Sequence, residues 1–235
     1  SALADSLVPR TWAGDIRNAA DDILAAAKAH APEKFQAAVS AGQYHHPKGV
    51  FYGGTAPTWS HQTFGDIYDA FIAPTAENII HIDFHTGWGD YGNLEAYSIV
   101  GKTEPNHVRA HNYFSHVMPV MPSPYPMHGS LVEHMLFNSS EQLTATACAI
   151  EVGTMPLPKD TINALRADHF IQAYGCPKSD IGQEITRELK SACAPADHQW
   201  KNNVTLVSLR MMDEAMAHLP TDSPTILTPT TQEER

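Results

Sequence analysis

The sequence predicts an α/β fold, a single-domain sandwich in which a mainly parallel, mixed sheet is covered by helices on both faces. Two segments rich in apolar and β-branched residues, 78–84 and 143–150, carry almost no charge until their ends, as strands covered on both faces do. Helical patterns flank both segments, and 235 residues are an ordinary length for one such domain. We therefore expect one domain over residues 1–220 and an extended or disordered tail over 221–235.

Helical and extended patterns alternate along the chain, with turns at Gly and Pro. Residues 12–28 and 35–41 predict two helices, which Pro32 separates, and Thr58 opens a third helix that reaches about Ile72. Downstream, the patterns predict a strand that starts at Asn78 and runs into a glycine-rich loop up to Gly92, further strands at 95–100 and 143–154, a Pro-rich loop at 118–126, and helices at 106–116, 160–174, 181–192 and 200–219. On the last helix we expect an apolar stripe to pack in the core, formed by Leu206, Leu209, Met212, Met216 and Leu219.

The segment from Asn78 to Gly92 carries the first candidate site. Because side chains alternate across a strand, His81, Asp83 and His85 share one face, and Ile80, Ile82 and Phe84 share the other. His85 comes last and is followed by Thr-Gly-Trp-Gly, which places it where open α/β sheets bind ligands. A histidine that is satisfied by backbone hydrogen bonds is the plainer alternative.

A second predicted strand, like the first, has a polar side chain with catalytic potential near its end. The run from Leu143 to Thr154 is small and apolar until Glu151, which glycine follows two residues later. A carboxylate at the end of a buried strand is costly unless it is paired, points to water or has a function. We expect His85 and Glu151 to lie at the carboxyl ends of two nearby strands and to face one cleft.

Charge and cysteine content narrow the range of partners. The net charge is -11, with 15 Lys and Arg against 26 Asp and Glu, which disfavours nucleic acid and anionic membranes as partners. Three cysteines without a C-x-x-C pair indicate neither a disulfide framework nor a cysteine zinc site, and they fit a reducing cytoplasm. Motifs of serine hydrolases, P-loop proteins and dinucleotide-binding proteins are absent from the sequence.

Two histidine pairs match the letters of a metal site but fit it poorly. His30 and Glu33 have H-x-x-E spacing, yet Pro32 between them breaks the helix that such a motif needs. His107 and His111 stand four residues apart on a predicted helix, but Val108 occupies the place of the glutamate in H-E-x-x-H. We interpret the first pair as a coincidence and the second as part of a surface helix.

Taken together, the motifs resemble the zinc carboxypeptidase superfamily, and specifically its little-characterised branch of carboxypeptidase-like and deacylase-like proteins. The resemblance runs from about Leu3 to Leu219. It is carried by four segments in order: the aromatic and glycine-rich segment 42–60, Ile-Asp-Phe-His-Thr-Gly at 82–87, Glu-Val-Gly-Thr at 151–154, and Leu-Arg-Ala-Asp at 165–168.

The resemblance implies a zinc-dependent hydrolase that cleaves a small peptide or an N-acyl amino acid. In that reading His85 is a metal ligand and Glu151 is the general base that deprotonates the zinc-bound water. Asp83 is then a candidate to orient the imidazole, and His81, Arg109 and Tyr125 are further candidates for the surroundings of the site or for substrate contact.

The family's remaining zinc ligands come from an upstream H-x-x-E motif, which an Asn-Arg pair that grips the substrate carboxylate follows. Neither motif is visible in this sequence. We therefore expect the chain to begin after them and to bind zinc weakly by itself. Two alternatives stay open: a non-catalytic binding or scaffold protein of the same fold, and a fragment that a separate amino-terminal piece completes. The oligomeric state is left open.

Overall fold

The structure, a computed structural model, describes Thr11 and residues 28–29, 42–98, 104–114, 117–119, 129–137, 143–154 and 158–220. Its strands are β1 (Asn78–Tyr91), β2 (Leu94–Ser98), β3 (Val117–Pro119) and β4 (Thr144–Gly153). Its helices are α1 (Trp59–Ile67, continued by a π-helical turn over Tyr68–Ile72), α2 (Pro105–Tyr113), α3 (Leu131–Phe137), α4 (Pro158–Tyr174), α5 (Asp180–Cys193) and α6 (His198–Met216).

The four described strands form one mixed sheet in the order β1-β4-β2-β3. β1 pairs with β4 in parallel, β2 pairs with β3 in parallel, and β2 and β4 are antiparallel. The predicted class, an α/β fold with a mixed sheet flanked by helices, is confirmed. Each predicted strand is present, but β1 continues to Tyr91 through the glycine-rich segment that was expected to be a loop, where it forms a bulge instead.

Helices cover both faces of the sheet. On one face, Ile80 and Ile82 of β1 pack against a core cluster that includes Cys148 and Ile150 of β4, together with residues of α2 and α6. On the opposite face, Ile79 packs against a second cluster formed by Tyr68, Met135 and Leu143. The alternation along β1 therefore separates an apolar face from the face that carries His81, Asp83 and His85.

The predicted core of the two long strands is only partly correct. Ala147 and Ile150 are fully buried, whereas Ile80, Ile82 and Ala149 are half-buried. Phe84 is 42% exposed, so its predicted burial is wrong. β1 lies at one edge of the described sheet rather than in its interior, and Phe84 lies beyond the part of this strand that packs against the core cluster.

The last helix presents a different face from the one predicted. Leu206, Leu209, Met212 and Met216 are all more than half exposed, which contradicts a core role for this stripe. The buried face of α6 consists instead of Trp200, Met211 and Ala215. Spacing alone could not identify this face, because apolar residues occur on both sides of the helix.

Two short elements differ from the sequence prediction. The helix α3 was not predicted, because its seven residues are too few for a clear periodicity. Met118 and Pro119 end strand β3, although a loop was expected from residue 118 onward. Proline is tolerated in β3 because this strand lies at the edge of the described sheet.

Parts of the prediction fall on residues outside the described ranges. These are the helices at 12–28 and 35–41, the rest of the Pro-rich loop after residue 119, and the tail at 221–235. Within the described ranges, no helix combines the length and the apolar character that crossing a membrane requires.

Asn106 of α2 completes the hydrogen bonding of β4 where β2 diverges from it. The pairing of β2 with β4 ends at Tyr97 and Ala149. At Ala147, the Asn106 amide nitrogen donates to the backbone carbonyl at 2.9 Å, and the backbone N–H donates to Asn106 Oδ1 at 2.7 Å. One buried side chain thus satisfies both backbone groups that a neighbouring strand would otherwise pair.

We predict that Asn106→Leu destabilises the protein by about 2–4 kcal/mol, because it leaves a buried N–H and a buried C=O without partners. Urea unfolding measures this loss. Asn112→Leu is the matched control, since Asn112 is exposed on the same helix. Equal stability of the two variants would contradict the role given to Asn106.

Candidate functional site

The sheet brings His85 and Glu151 into direct register at its carboxyl edge. His85 of β1 is the parallel partner of Glu151 on β4, and Glu151 is in turn the antiparallel partner of Glu95 on β2. Paired residues share one face of a sheet, so one imidazole and two carboxylates form a row across three strands. His85 and Glu151 are close together on one face, as predicted, but β1 continues beyond His85 to Tyr91, so His85 is not the end of its strand; the roles of both residues stay predictions.

Both ring nitrogens of His85 face carboxylates. Nε2 lies 2.9 Å from Oδ2 of Asp83, and Nδ1 lies 3.9 Å from Oε1 of Glu151. Because a carboxylate only accepts, the closer contact favours the tautomer with its proton on Nε2. Nδ1 then keeps its lone pair on the side of Glu151, where it is available to a metal ion or a proton donor.

The three side chains differ in their access to solvent. The His85 side chain is 47% exposed, whereas those of Asp83 and Glu151 are 24% and 25% exposed. The imidazole can therefore meet a ligand from solution. The two carboxylates beside it are less accessible than the imidazole.

A glycine-rich bulge follows the site and closes over the end of β4. Gly87 and Tyr91 both pair with Gly153, so the intervening residues bulge out of the sheet. A Cβ on Gly153 would lie only 2.0 Å from the carbonyl oxygen of Asp90, which excludes every other residue at this position. The glycine of the Glu-Val-Gly-Thr segment thus lets the bulge pack directly behind Glu151.

Glu95 and Tyr97 belong to this face but were not predicted. The Tyr97 hydroxyl donates to Glu95 Oε2, and Tyr97 pairs with Ala149 in the row next to Glu151. Their alternate spacing on a strand was visible in the sequence. The antiparallel register that places Glu95 opposite Glu151 was not, because it depends on the turn at Gly92 and Asn93.

The other candidate side chains are not brought to the row of His85 and Glu151. Arg109 of α2 donates through Nε to Thr146 Oγ1 at 2.9 Å and through Nη2 to the Ala145 carbonyl. This contact lies about 20 Å along β4 from Glu151, at the other end of the strand. Arg109 thus holds the sheet together and is not placed for substrate contact. Tyr125 lies outside the described residues.

His81 lies on the same face as Asp83 but in a more enclosed place. Its ring meets the ring of Phe64 edge to face at 6.3 Å, and its Nε2 atom is buried without a hydrogen-bond partner among the described residues. Burial lowers the pKa of His81 below its ordinary value of 6.5, and the nearby charge of Asp83 partly opposes this shift. The ring of His81 is therefore uncharged at neutral pH.

The two histidine pairs set aside in the sequence do not reach the site. His107 is buried and His111 is exposed on α2, with their rings stacked 6.0 Å apart. His107 is thus part of a buried helix face, which the expected surface helix did not include. His30 and Glu33 lie outside the described residues.

The donor set at the site suits zinc in kind but not in number. Imidazole and carboxylate groups are its usual ligands, and catalytic zinc takes three protein ligands. Within the described ranges, however, no group of three or more His, Cys, Asp and Glu side chains is arranged to hold a metal ion. Among the described side chains of this row, Nδ1 of His85 is the atom that we consider as a metal ligand.

The cysteines are all free and take no part in this site. Cys148 is fully buried in the core cluster, Cys193 is half-buried and Cys176 is exposed. Burial raises the pKa of the Cys148 thiol to about 12, so this thiol stays protonated and unreactive.

Comparisons with known proteins give one family for this chain. Residues 1–206 match the model of a family described as "Protein of unknown function (DUF2817)". Neither the search of curated proteins nor the search of solved structures finds a match. The family thus covers the described sheet and the site but brings no assigned activity with it.

We predict that His81 makes the protein less stable below about pH 6.5. Above this pH both the folded and the unfolded state hold a neutral ring; below it the unfolded state takes up a proton that the buried ring resists. The free energy of unfolding should therefore fall from pH 7.5 to pH 5.5 by more in the wild type than in His81→Phe. Urea unfolding at both values measures this difference, with the exposed His198→Phe as control. Parallel pH profiles for wild type and His81→Phe would refute it.

Proposed function

The chain belongs to the DUF2817 family, and we propose that it is a zinc-dependent hydrolase that cleaves a peptide or an N-acyl amide bond. The observation that carries this proposal is the register of His85 with Glu151, which sets Nδ1 of the imidazole 3.9 Å from a carboxylate oxygen on one face of the sheet. The resemblance of the motifs to the zinc carboxypeptidase superfamily supports the same reaction class.

In this proposal, Asp83 and His85 act as a unit. Oδ2 of Asp83 accepts the Nε2 proton of His85, which fixes the ring and leaves Nδ1 as a metal ligand. Zinc held by this nitrogen and by further ligands would lower the pKa of a coordinated water toward neutrality. The described residues supply this single ligand, so the proposal requires further ligands that they do not provide.

Glu151 acts as the general base and then as the general acid. Its carboxylate takes a proton from the water that attacks the carbonyl carbon, and the oxygen of that water forms the new C–O bond. The same carboxyl group returns the proton to the leaving nitrogen when the C–N bond breaks. The products are a carboxylate and a free amine, and Glu151 is regenerated.

A non-catalytic binding or scaffold protein is the second candidate. The lack of a three-ligand group among the described residues favours it. Metal content and turnover separate the two candidates. A protein without stoichiometric metal and without turnover on peptides and N-acyl amino acids would favour the binding protein.

We predict that Glu151→Gln lowers kcat by about 10²- to 10⁴-fold in the native gene product and leaves metal content unchanged, because the base acts on the water without holding the ion. His85→Ala should reduce both metal content and turnover. Glu77→Gln, at an exposed glutamate just before β1, is the matched control and should retain both. Normal turnover of Glu151→Gln would remove Glu151 from the mechanism.

We also predict that Asp83→Asn weakens metal binding by about 10- to 100-fold, because an amide no longer holds the proton on Nε2. Competition with a chelator measures this affinity. The overall fold, followed by circular dichroism, should stay the same. Unchanged metal affinity would show that Asp83 does not orient His85.

A further inference from the structure

A cavity of about 580 Å³ lies between the first turns of α1 and α3. Its walls include the rings of His61, Phe64 and His134, the side chain of Leu131, and the hydroxyl-bearing residues Ser60 and Ser130. This volume falls in the range of small-molecule sites, which are mainly apolar with a few polar groups. Neither His85 nor Glu151 lines this cavity, so it is separate from the candidate site.

Aromatic rings connect the cavity to the strand that carries the candidate site. His61 meets His134 edge to face at 5.4 Å, and His134 meets Phe64 at 6.0 Å. Phe64 in turn meets His81 of β1 at 6.3 Å. These ring contacts therefore connect the wall of the cavity to His81, which lies on the same face of β1 as Asp83 and His85.

The order of helices and strands indicates on which side of His81 the cavity lies. Helix α1 precedes β1 and helix α3 precedes β4, so the carboxyl end of each helix lies near the amino end of the strand that follows it. At this end, Tyr68 and Met135 belong to a cluster against which Ile79 packs. Phe64 contacts His81 and is therefore level with it. Ser60 lies four residues before Phe64 on α1, which is about 6 Å along the helix axis. Two strand residues from His81 to Asp83 advance about 7 Å. From these lengths we infer that Ser60, in the cavity wall, lies about level with Asp83 along the direction of β1.

Capping hydrogen bonds fix the starts of α1 and α3, which border the cavity. Thr58 Oγ1 accepts from the backbone N–H of His61, and Ser130 Oγ accepts from that of Glu133 at 3.0 Å. The carboxylate of Glu133 in turn accepts from the backbone N–H of Gly129 at 2.9 Å. The cavity is thus preformed, which reduces the entropy lost when a ligand binds.

We propose that this cavity binds a planar aromatic group of the substrate, such as the aromatic part of an N-acyl group, and holds it beside His85 and Glu151. Rings that meet edge to face offer an aromatic ligand the same favoured geometry, which a small acyl group such as acetyl cannot use. This inference rests on the proposed hydrolase function for its link to turnover. The binding of the aromatic group itself does not require the metal.

Isothermal titration of the 235-residue chain with N-(phenylacetyl)glycine and with N-acetylglycine tests the inference. We expect the aromatic probe to bind at least about tenfold more tightly. Adding it should also shift the ring-proton NMR signals of His61 and His134. Equal affinity for the two probes, or ring signals that do not move, would overturn the inference.

The substitution Leu131→Trp should fill the cavity and lower the affinity for the aromatic probe by about tenfold or more. Leu206→Trp places the same ring at an exposed position on α6 and should leave binding unchanged. Unaltered binding to a folded Leu131→Trp would count against the cavity, and the NMR shifts decide the matter if that variant fails to fold. Glu151→Gln separates the two proposals: intact probe binding with normal turnover would remove the hydrolase mechanism and leave the aromatic site standing.

Discussion

The parallel register between β1 and β4 is the constraint on which the rest of the molecule depends. It pairs Asn78 with Thr144 and continues without a shift to Gly87 and Gly153, so His85 meets Glu151. A slip of one residue would turn Glu151 to the apolar face and bury its carboxylate against Ile82 and its neighbours. The apolar alternation of both strands therefore fixes the polar row as well as the core.

The two faces of the sheet have different roles: one packs in the main core, and the other carries the candidate site. Helices α2 and α6 close one face with an apolar cluster, and Asn106 and Arg109 of α2 satisfy backbone groups of β4. On the other face, residues of α1 and α3 pack against Ile79, near the beginning of β1. Farther along, this face carries Asp83, His85 and Glu151, whose side chains remain partly exposed to water.

The sequence was sufficient for features that depend on local pattern. Alternation over residues 80–85 predicted which residues share a face with His85, and the glycine two residues after Glu151 marked the end of the strand that pairs with β1. Features set by the packing of distant segments were not predictable in this way. The exposure of Phe84, the exposed side of α6 and the place of Glu95 opposite Glu151 all depend on which elements pack together, and the periodicity of the sequence does not record that.

The pairing of β1 with β4 also has a kinetic consequence. Between these two strands the chain passes through β2, α2, β3 and α3, so their contact is non-local. Closing such a loop costs conformational entropy before any contact compensates it, and sheets of this kind form slowly. Asp83 and His85 can meet early because both lie on β1, whereas Glu151 joins them only when the β1–β4 ladder has formed. We therefore expect the paired arrangement of His85 and Glu151 to be a late product of folding.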